Sequence, residues 1–333
     1  MSSPFDAVLL IAFGGPMGRA DIRPFLANVL RGRRVSPERV EEVAHHYELF
    51  DGVSPITELT LQQAQGLRNA LAARGHLLPV YVGMRNWNPY LRDTLAQMSR
   101  DGVRRAVGVI AAAHRSYSGC TQYKENVADA RRALREAGLA DVQVTYVSDW
   151  HLSPGFIDAN ADHVAAAVQK LPPDVCRDSE LVFTAHSIPE SMAQEYPYQL
   201  QLEASCLAVA QEIARRASAA QLAAWRLVFQ SRSGRPEDPW LEPDVCDYLR
   251  EAPGHGAHGV VLCPIGFVCD HIEVLYDLDT EAAEVAATLE LPFARASAVN
   301  DHPRFVDALT DAVLETVTRY ARGRSLPIVP AAP

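Results

Sequence analysis

Cysteine is scarce in this sequence, six residues in 333, and no two of them form a C-x-x-C pair. Cys120, Cys176, Cys206, Cys246, Cys263 and Cys269 are too scattered for a disulfide framework and nucleate neither a zinc ribbon nor a redox centre. Long apolar runs are missing too. The longest near the N-terminus, Ala7 to Phe13, is too short to span a bilayer, and no basic stretch followed by an apolar core marks a secretory signal. Basic charge is in deficit: 31 Lys+Arg against 41 Asp+Glu leave a formal net charge of −10, so no basic stripe is available to neutralise nucleic-acid phosphates. The expectation is a cytoplasmic protein with free thiols, no nucleic-acid partner and no stable membrane insertion, acting as a monomer.

Several chemistries fall for want of their motifs. Gly14-Gly15-Pro16-Met17-Gly18 follows the first apolar run but does not match G-x-G-x-x-G, and Pro16 removes a backbone donor that a pyrophosphate would use. There is no G-x-x-x-x-G-K-[ST] loop. Neither Ser118 nor Ser187 has the flanking glycines of a nucleophile elbow, and H-E-x-x-H is absent. His271-x-Glu273 resembles half of a zinc-deaminase signature, but no P-C-x-x-C follows to complete it.

What is present is the balance of an ordinary globular protein, 48% hydrophobic and 22% charged. Short apolar runs begin near Ala7, Pro79, Ala106 and Val142, and a second set near Leu181, Leu227, Gly259 and Phe293. Between them lie helical patterns such as Leu59–Arg74, Tyr123–Ala137 and Phe305–Tyr320. Uninterrupted apolar strands alternating with helices predict an α/β fold with two four-stranded parallel sheets flanked by helices. The two halves meet in the Trp150–Gly155 linker, which predicts domains over 1–153 and 154–325 and a Pro/Ala-rich tail over 326–333.

Ligand crevices of open parallel sheets lie at the carboxyl ends of strands. The residues there are polar: His114-Arg-Ser, His186-Ser-Ile-Pro, Gln230-Ser-Arg-Ser-Gly and Asp270-His-Ile-Glu273, four segments expected to converge on one cleft. From Asp270 to Glu290 the chain holds seven acidic residues and no Lys or Arg. His271, Leu275, Leu278, Ala282, Val285 and Leu289 form a helical apolar stripe there, with Glu273, Asp277, Glu281 and Glu284 opposite. Like charges four residues apart repel by a few tenths of a kcal/mol per pair. Either this is a solvated face that tolerates the repulsion, or a divalent cation relieves it. Carboxylates with an imidazole suit an ion such as Fe²⁺. For His186 the ordinary reading is a satisfied, partly buried histidine; its strand-end position favours function. A zinc site on Cys263, Cys269 and His271 has a spacing without structural precedent.

These residues also make up a known pattern. Phe183-Thr-Ala-His-Ser-Ile-Pro189, Gln230-Ser with Asp238-Pro-Trp-Leu-Glu-Pro-Asp244, and Pro264-Ile-Gly-Phe-Val-Cys-Asp-His-Ile-Glu-Val-Leu-Tyr-Asp277 resemble the signature segments of ferrochelatases. Leu10-Ile-Ala-Phe-Gly-Gly-Pro16 and Tyr47 with Gly52-Val-Ser-Pro-Ile56 resemble the N-terminal half, so the likeness covers essentially the whole chain. It implies two Rossmann-like domains and insertion of Fe²⁺, as substrate, into a porphyrin during haem biosynthesis, with no further cofactor. It implies that His186 and Glu273 handle metal and pyrrole protons. Asp277 and Glu281 match an outer acidic row thought to deliver metal or carry protons.

By the same resemblance Arg31, Tyr47, Ser54 and Tyr123 meet the propionates, while Phe13, Arg85 and Trp87 face the macrocycle. On residue type alone, Arg31 reads as a surface cation and Trp87 equally well as core. Some relatives carry Tyr or Met where this chain has Phe13, which cannot ligate iron, and some carry an arginine at His46. No Cys follows Cys269, so the C-terminal [2Fe–2S] cluster of some relatives is not expected. The short form resembles the bacterial enzymes that take coproporphyrin III, with protoporphyrin IX as the alternative substrate. A porphyrin carrier would need no acidic row, and a cobalt or nickel chelatase would share the histidine and carboxylates.

Overall fold

A computed structural model describes residues 3–32, 35–176, 179–216, 224–233 and 237–323; the tail predicted over 326–333 lies outside the described residues. The chain forms two compact units. One gathers the residues up to Ala111, the stretch Cys120–Trp150 and the chain from Phe305 onward, and the other holds Ala112–Gly119 and His151–Arg304.

In the first unit β1 (Ala7–Ala12), β2 (Val80–Met84), β3 (Arg105–Ile110) and β4 (Gln143–Tyr146) pair in the order β2-β1-β3-β4, all parallel. The second repeats that order with β5 (Ser179–His186), β6 (Trp225–Gln230), β7 (Gly259–Cys263) and β8 (Phe293–Arg295) as β6-β5-β7-β8. The central strands are largely buried because helices cover both faces of each sheet; every residue of β1 and of β7 is buried. Parallel pairing needs crossovers, and helices Ile56–Ala73, Leu91–Arg100 and Gln122–Glu136 supply them in the first unit. Tyr198–Arg216, Val245–Glu251 and the acidic segment after β7 do so in the second. All eight strands stand where the apolar runs predict them.

The domain boundary is more complicated than one linker at 153–154. The chain crosses between units near that point, at 150–151, but also at 111–112, 119–120 and 304–305. The last crossing sends helix Pro303–Ala321, expected in the second domain, back to the first unit. Its partners explain why. Phe305 packs on Trp150 with ring centroids 5.5 Å apart, Tyr320 on Phe5 at 4.9 Å, and Arg74 reaches Asp307 at 2.7 Å and also Asp311. Gly66 permits the close approach: a Cβ there would lie 3.1 Å from a methyl of Val306.

Gly66→Leu should therefore overpack this contact. The expected cost is about 1–3 kcal/mol, read as a lower thermal midpoint of unfolding; an unchanged midpoint would show that the helices part easily.

Candidate active site

The second unit's site is built at the carboxyl end of β5. Gly266 lets the loop after β7 press against this strand: its N–H donates to the Thr184 carbonyl at 3.0 Å, and a Cβ would meet Ala185 at 2.6 Å. The Tyr198 hydroxyl donates to the His186 carbonyl at 3.0 Å, and the Ser187 N–H donates to Gln230 O at 2.8 Å. His186, paired in register with Gln230, is thus held from several sides with its ring half-buried.

The ring's hydrogen bonding sets its chemistry. Nδ1 lies 2.5 Å from the Ser187 carbonyl oxygen. A carbonyl only accepts, so Nδ1 carries the proton, and in the neutral ring Nε2 holds a lone pair. That lone pair faces Glu273 Oε2 at 3.9 Å, too far for a hydrogen bond. Two electron-pair donors thus look toward one another.

The acidic segment departs from a single helix. Helix Ile272–Tyr276 is followed by a π-turn, Asp277–Ala282, and then by helix Ala283–Thr288. His271, expected on the apolar stripe, instead caps the first helix: its Nδ1 accepts from the Glu273 N–H at 3.2 Å, and its ring packs on Phe267. Burial lowers its pKa, which suits an accepting nitrogen. Besides Ile272 at its start, the buried positions of the segment are Val274, Leu278, Ala282 and Ala286, at four-residue spacing. An ordinary helix drifts roughly 40° every four residues, and the wider π-turn takes up that drift. The same spacing keeps Glu273, Asp277 and Glu281 together, and both glutamates act electrostatically on Asp277.

Asp277 is tied to the end of β6. It accepts a short hydrogen bond from the Ser231 hydroxyl and another from Gln230 Nε2 at 3.2 Å. Ser231 adopts a left-handed backbone, φ 60°, to deliver its hydroxyl. Burial first, then the neighbouring Glu273 and Glu281, push the Asp277 pKa up to about 7, against the lowering effect of its hydrogen bonds. Among the described residues no three His, Cys, Asp or Glu side chains converge as a metal cage. The arrangement is an open pair backed by a row of carboxylates.

Of the four polar strand-end segments, the one at His114 does not join this site. His114 is buried in the second unit, its Nε2 3.0 Å from the Ser205 hydroxyl, and burial drives its pKa down to about 3. It is a neutral core histidine. The segments at His186, Gln230 and Glu273 do come together. Asp270 turns away to pair with Arg295, a compensating cation that the segment's own composition conceals.

The predicted porphyrin residues all lie in the first unit. Phe25, buried and not singled out from the sequence, is their hub: its ring centroid is 6.2 Å from Phe13, 5.6 Å from Tyr47 and 6.4 Å from Trp87. Its apolar spacing within helix Ile22–Val29 was the available signal. The Arg85 guanidinium lies over two rings, 5.7 Å from Phe13 and 5.4 Å from Tyr123. Trp87 also meets Tyr90 edge-on at 6.2 Å, so it has the packing of a core residue as well. Arg31 is exposed and donates to Asn28 Oδ1 at 2.7 Å. Ser54 is buried beneath the Gly14-Gly15 loop, where a Cβ on Gly15 would meet its own Cβ at 2.6 Å. Close packing at Gly15 and a left-handed backbone at Gly14, φ 82°, account for that glycine pair.

The fold is that of chelatases. SirB from Bacillus subtilis, in a structure with Fe³⁺, superposes with a TM-score of 0.57 at 10% identity, covering 96% of this chain and 98% of SirB. A multi-domain Deinococcus radiodurans protein, described as structurally similar to chelatases, superposes with a TM-score of 0.50 at 16% identity, covering 93% and 55%. The ferrochelatase family model matches residues 5–317. Relatives named coproporphyrin III ferrochelatase share 47% identity in Streptomyces griseus (97% of this chain, 88% of the relative) and 45% in Streptomyces coelicolor (94% and 86%). One from Rhodopirellula baltica named ferrochelatase shares 45% (94% and 86%). The chain belongs to the ferrochelatase family, lyases that insert iron into porphyrins. Among the described residues no helix is long and apolar enough to cross a membrane.

The raised Asp277 pKa carries a sign that can be checked. Between the usual aspartate value near 3.9 and about 7 the folded protein holds a proton that the unfolded chain releases, so this group's contribution to stability falls as pH rises through that window. Asp277→Asn cannot ionise. From pH 5 to pH 8 wild type should lose on the order of a few kcal/mol that the variant keeps; parallel urea-melt series for the two proteins would refute the assignment.

Proposed function

We propose that this chain inserts Fe²⁺ into coproporphyrin III. Porphyrin and Fe²⁺ are the substrates, two pyrrole protons leave, and no further cofactor or iron–sulfur cluster takes part. The observation that carries the reading is the Nδ1–H of His186 on the Ser187 carbonyl, which leaves Nε2 as a lone-pair donor opposite Glu273 at 3.9 Å.

Metallation replaces two N–H bonds of the macrocycle by bonds to one Fe²⁺. His186 Nε2 accepts a pyrrole proton or ligates the arriving iron, as a neutral imidazole does. Glu273 balances the charge of the ring once it is protonated. Asp277 and Glu281 extend the carboxylate row, with Asp277 able to hold or release a proton near neutral pH. Phe13, Tyr47 and Trp87 offer aromatic surface to the macrocycle. Arg31, Arg85, Ser54 and Tyr123 offer donors to propionates. Phe13 has no atom that binds iron, so the metal is handled from the histidine side alone.

Coproporphyrin is favoured over protoporphyrin IX because it carries more propionates for these donors, and because the Streptomyces relatives bear that name. A carrier that binds porphyrin without turnover has no use for a row of mutually repelling carboxylates. The test is anaerobic turnover with Fe²⁺ and each porphyrin side by side, following loss of the free-base absorption bands. His186→Ala should lower kcat by about 10²-fold or more while fluorescence titration still detects porphyrin binding. Retained turnover in that variant would overturn the role of the imidazole.

A further inference from the structure

The acidic segment contains no cation of its own, yet one guanidinium holds both its beginning and its middle. Arg295, on β8 and largely buried, makes a two-pronged contact with Asp279: Nε to Oδ1 at 2.8 Å and Nη2 to Oδ2 at 2.5 Å. Its Nη1 reaches Asp270 Oδ1 at 2.7 Å. Asp270 is anchored further. It accepts from Ala298 N–H at 3.1 Å and from Asn300 Nδ2 at 2.8 Å, and its own N–H donates to Asn300 Oδ1 at 2.8 Å. Asn300 takes a left-handed backbone, φ 45°, in this reciprocal pair.

Asp270 immediately precedes the cap His271, and Asp279 lies inside the π-turn, between Asp277 and Glu281. The stretch between the two gripped aspartates therefore contains Glu273 and Asp277. A π-turn is a rare local geometry that the backbone alone does not favour over α. If it relaxed to α, the helix before it, which carries Glu273, and the residues after it would rotate relative to one another about the helix axis, and the carboxylate row would lose its alignment. Arg offers a planar fork with fixed donor directions, which a lysine cannot match at a bidentate site. We propose that Arg295 is a positioning residue for metal insertion: by bridging Asp270 and Asp279 it locks the π-turn and holds Glu273 opposite His186.

This inference rests on the function proposed above, and one set of assays separates the two. Wild type, Asp279→Asn, Arg295→Lys and, as a control, Asp247→Asn are compared under anaerobic turnover with Fe²⁺ and coproporphyrin III. Asp279 is partly exposed, and Asp279→Asn removes only the π-turn side of the bridge while Asp270 keeps its guanidinium. The control breaks an exposed ion pair with Arg250 in the same unit. Asp279→Asn and Arg295→Lys should lower kcat by about 10–100-fold, with the porphyrin KM within about twofold of wild type and the control unchanged. If Arg295→Lys fails to fold, Asp279→Asn alone decides. Wild-type kcat in Asp279→Asn, whatever its thermal midpoint, overturns the proposal, as does a raised KM at unchanged kcat. A wild-type protein that leaves the porphyrin unmetallated instead sinks the proposed function.

Discussion

A single hydrogen bond, from the His186 ring to the carbonyl of the next residue, determines which nitrogen of that ring can do chemistry. Everything around it keeps the bond in place. The strand end is pinned by Tyr198, by the pairing of Ser187 with Gln230, and by a glycine at 266 that brings the neighbouring loop against Ala185. With the tautomer set, the opposing carboxylate acts on a lone pair and not on a donor, and a proton or a metal ion is what such a pair lacks.

The concentration of negative charge nearby is tolerated by two different devices. Asp270 and Asp279 are neutralised by Arg295, which lies 16 residues beyond the second of them along the chain. Asp277 is kept protonated over much of the acidic pH range by burial and by its neighbours. The repulsion expected from composition is therefore partly resolved within the protein itself. Glu273 is the carboxylate left nearest the imidazole, 3.9 Å from its Nε2.

Uninterrupted apolar runs were enough to read the eight strands, since a strand buried on both faces has little room for polar residues. A strand-end position marked out His186 and an acidic helix face marked out Glu273, while pairing the two came from the family resemblance; the structure places them 3.9 Å apart. Long-range partners were harder to see. Nothing local to Arg295 ties it to Asp270, and nothing in Phe25 beyond its helical spacing says that Phe13, Tyr47 and Trp87 will gather around it. The π-turn was hidden by an assumed period of 3.6; the four-residue repeat of Val274, Leu278, Ala282 and Ala286 is its trace. His271 was misassigned for a related reason, because a capping residue sits where a periodic pattern would place a core one. His114 shows the converse: a polar residue at a strand end that turned out to be interior.

The return of helix Pro303–Ala321 to the first unit has a consequence for biosynthesis. That unit is stitched from three stretches of chain, and the last of them leaves the ribosome only after every strand of the second unit has been made. Until then the surfaces around Gly66, Trp150 and Phe5 lack their covering partner. Domains ordinarily complete themselves in the order of their translation; here the half begun first is the half finished last, and its apolar flank must stay shielded from aggregation throughout the wait.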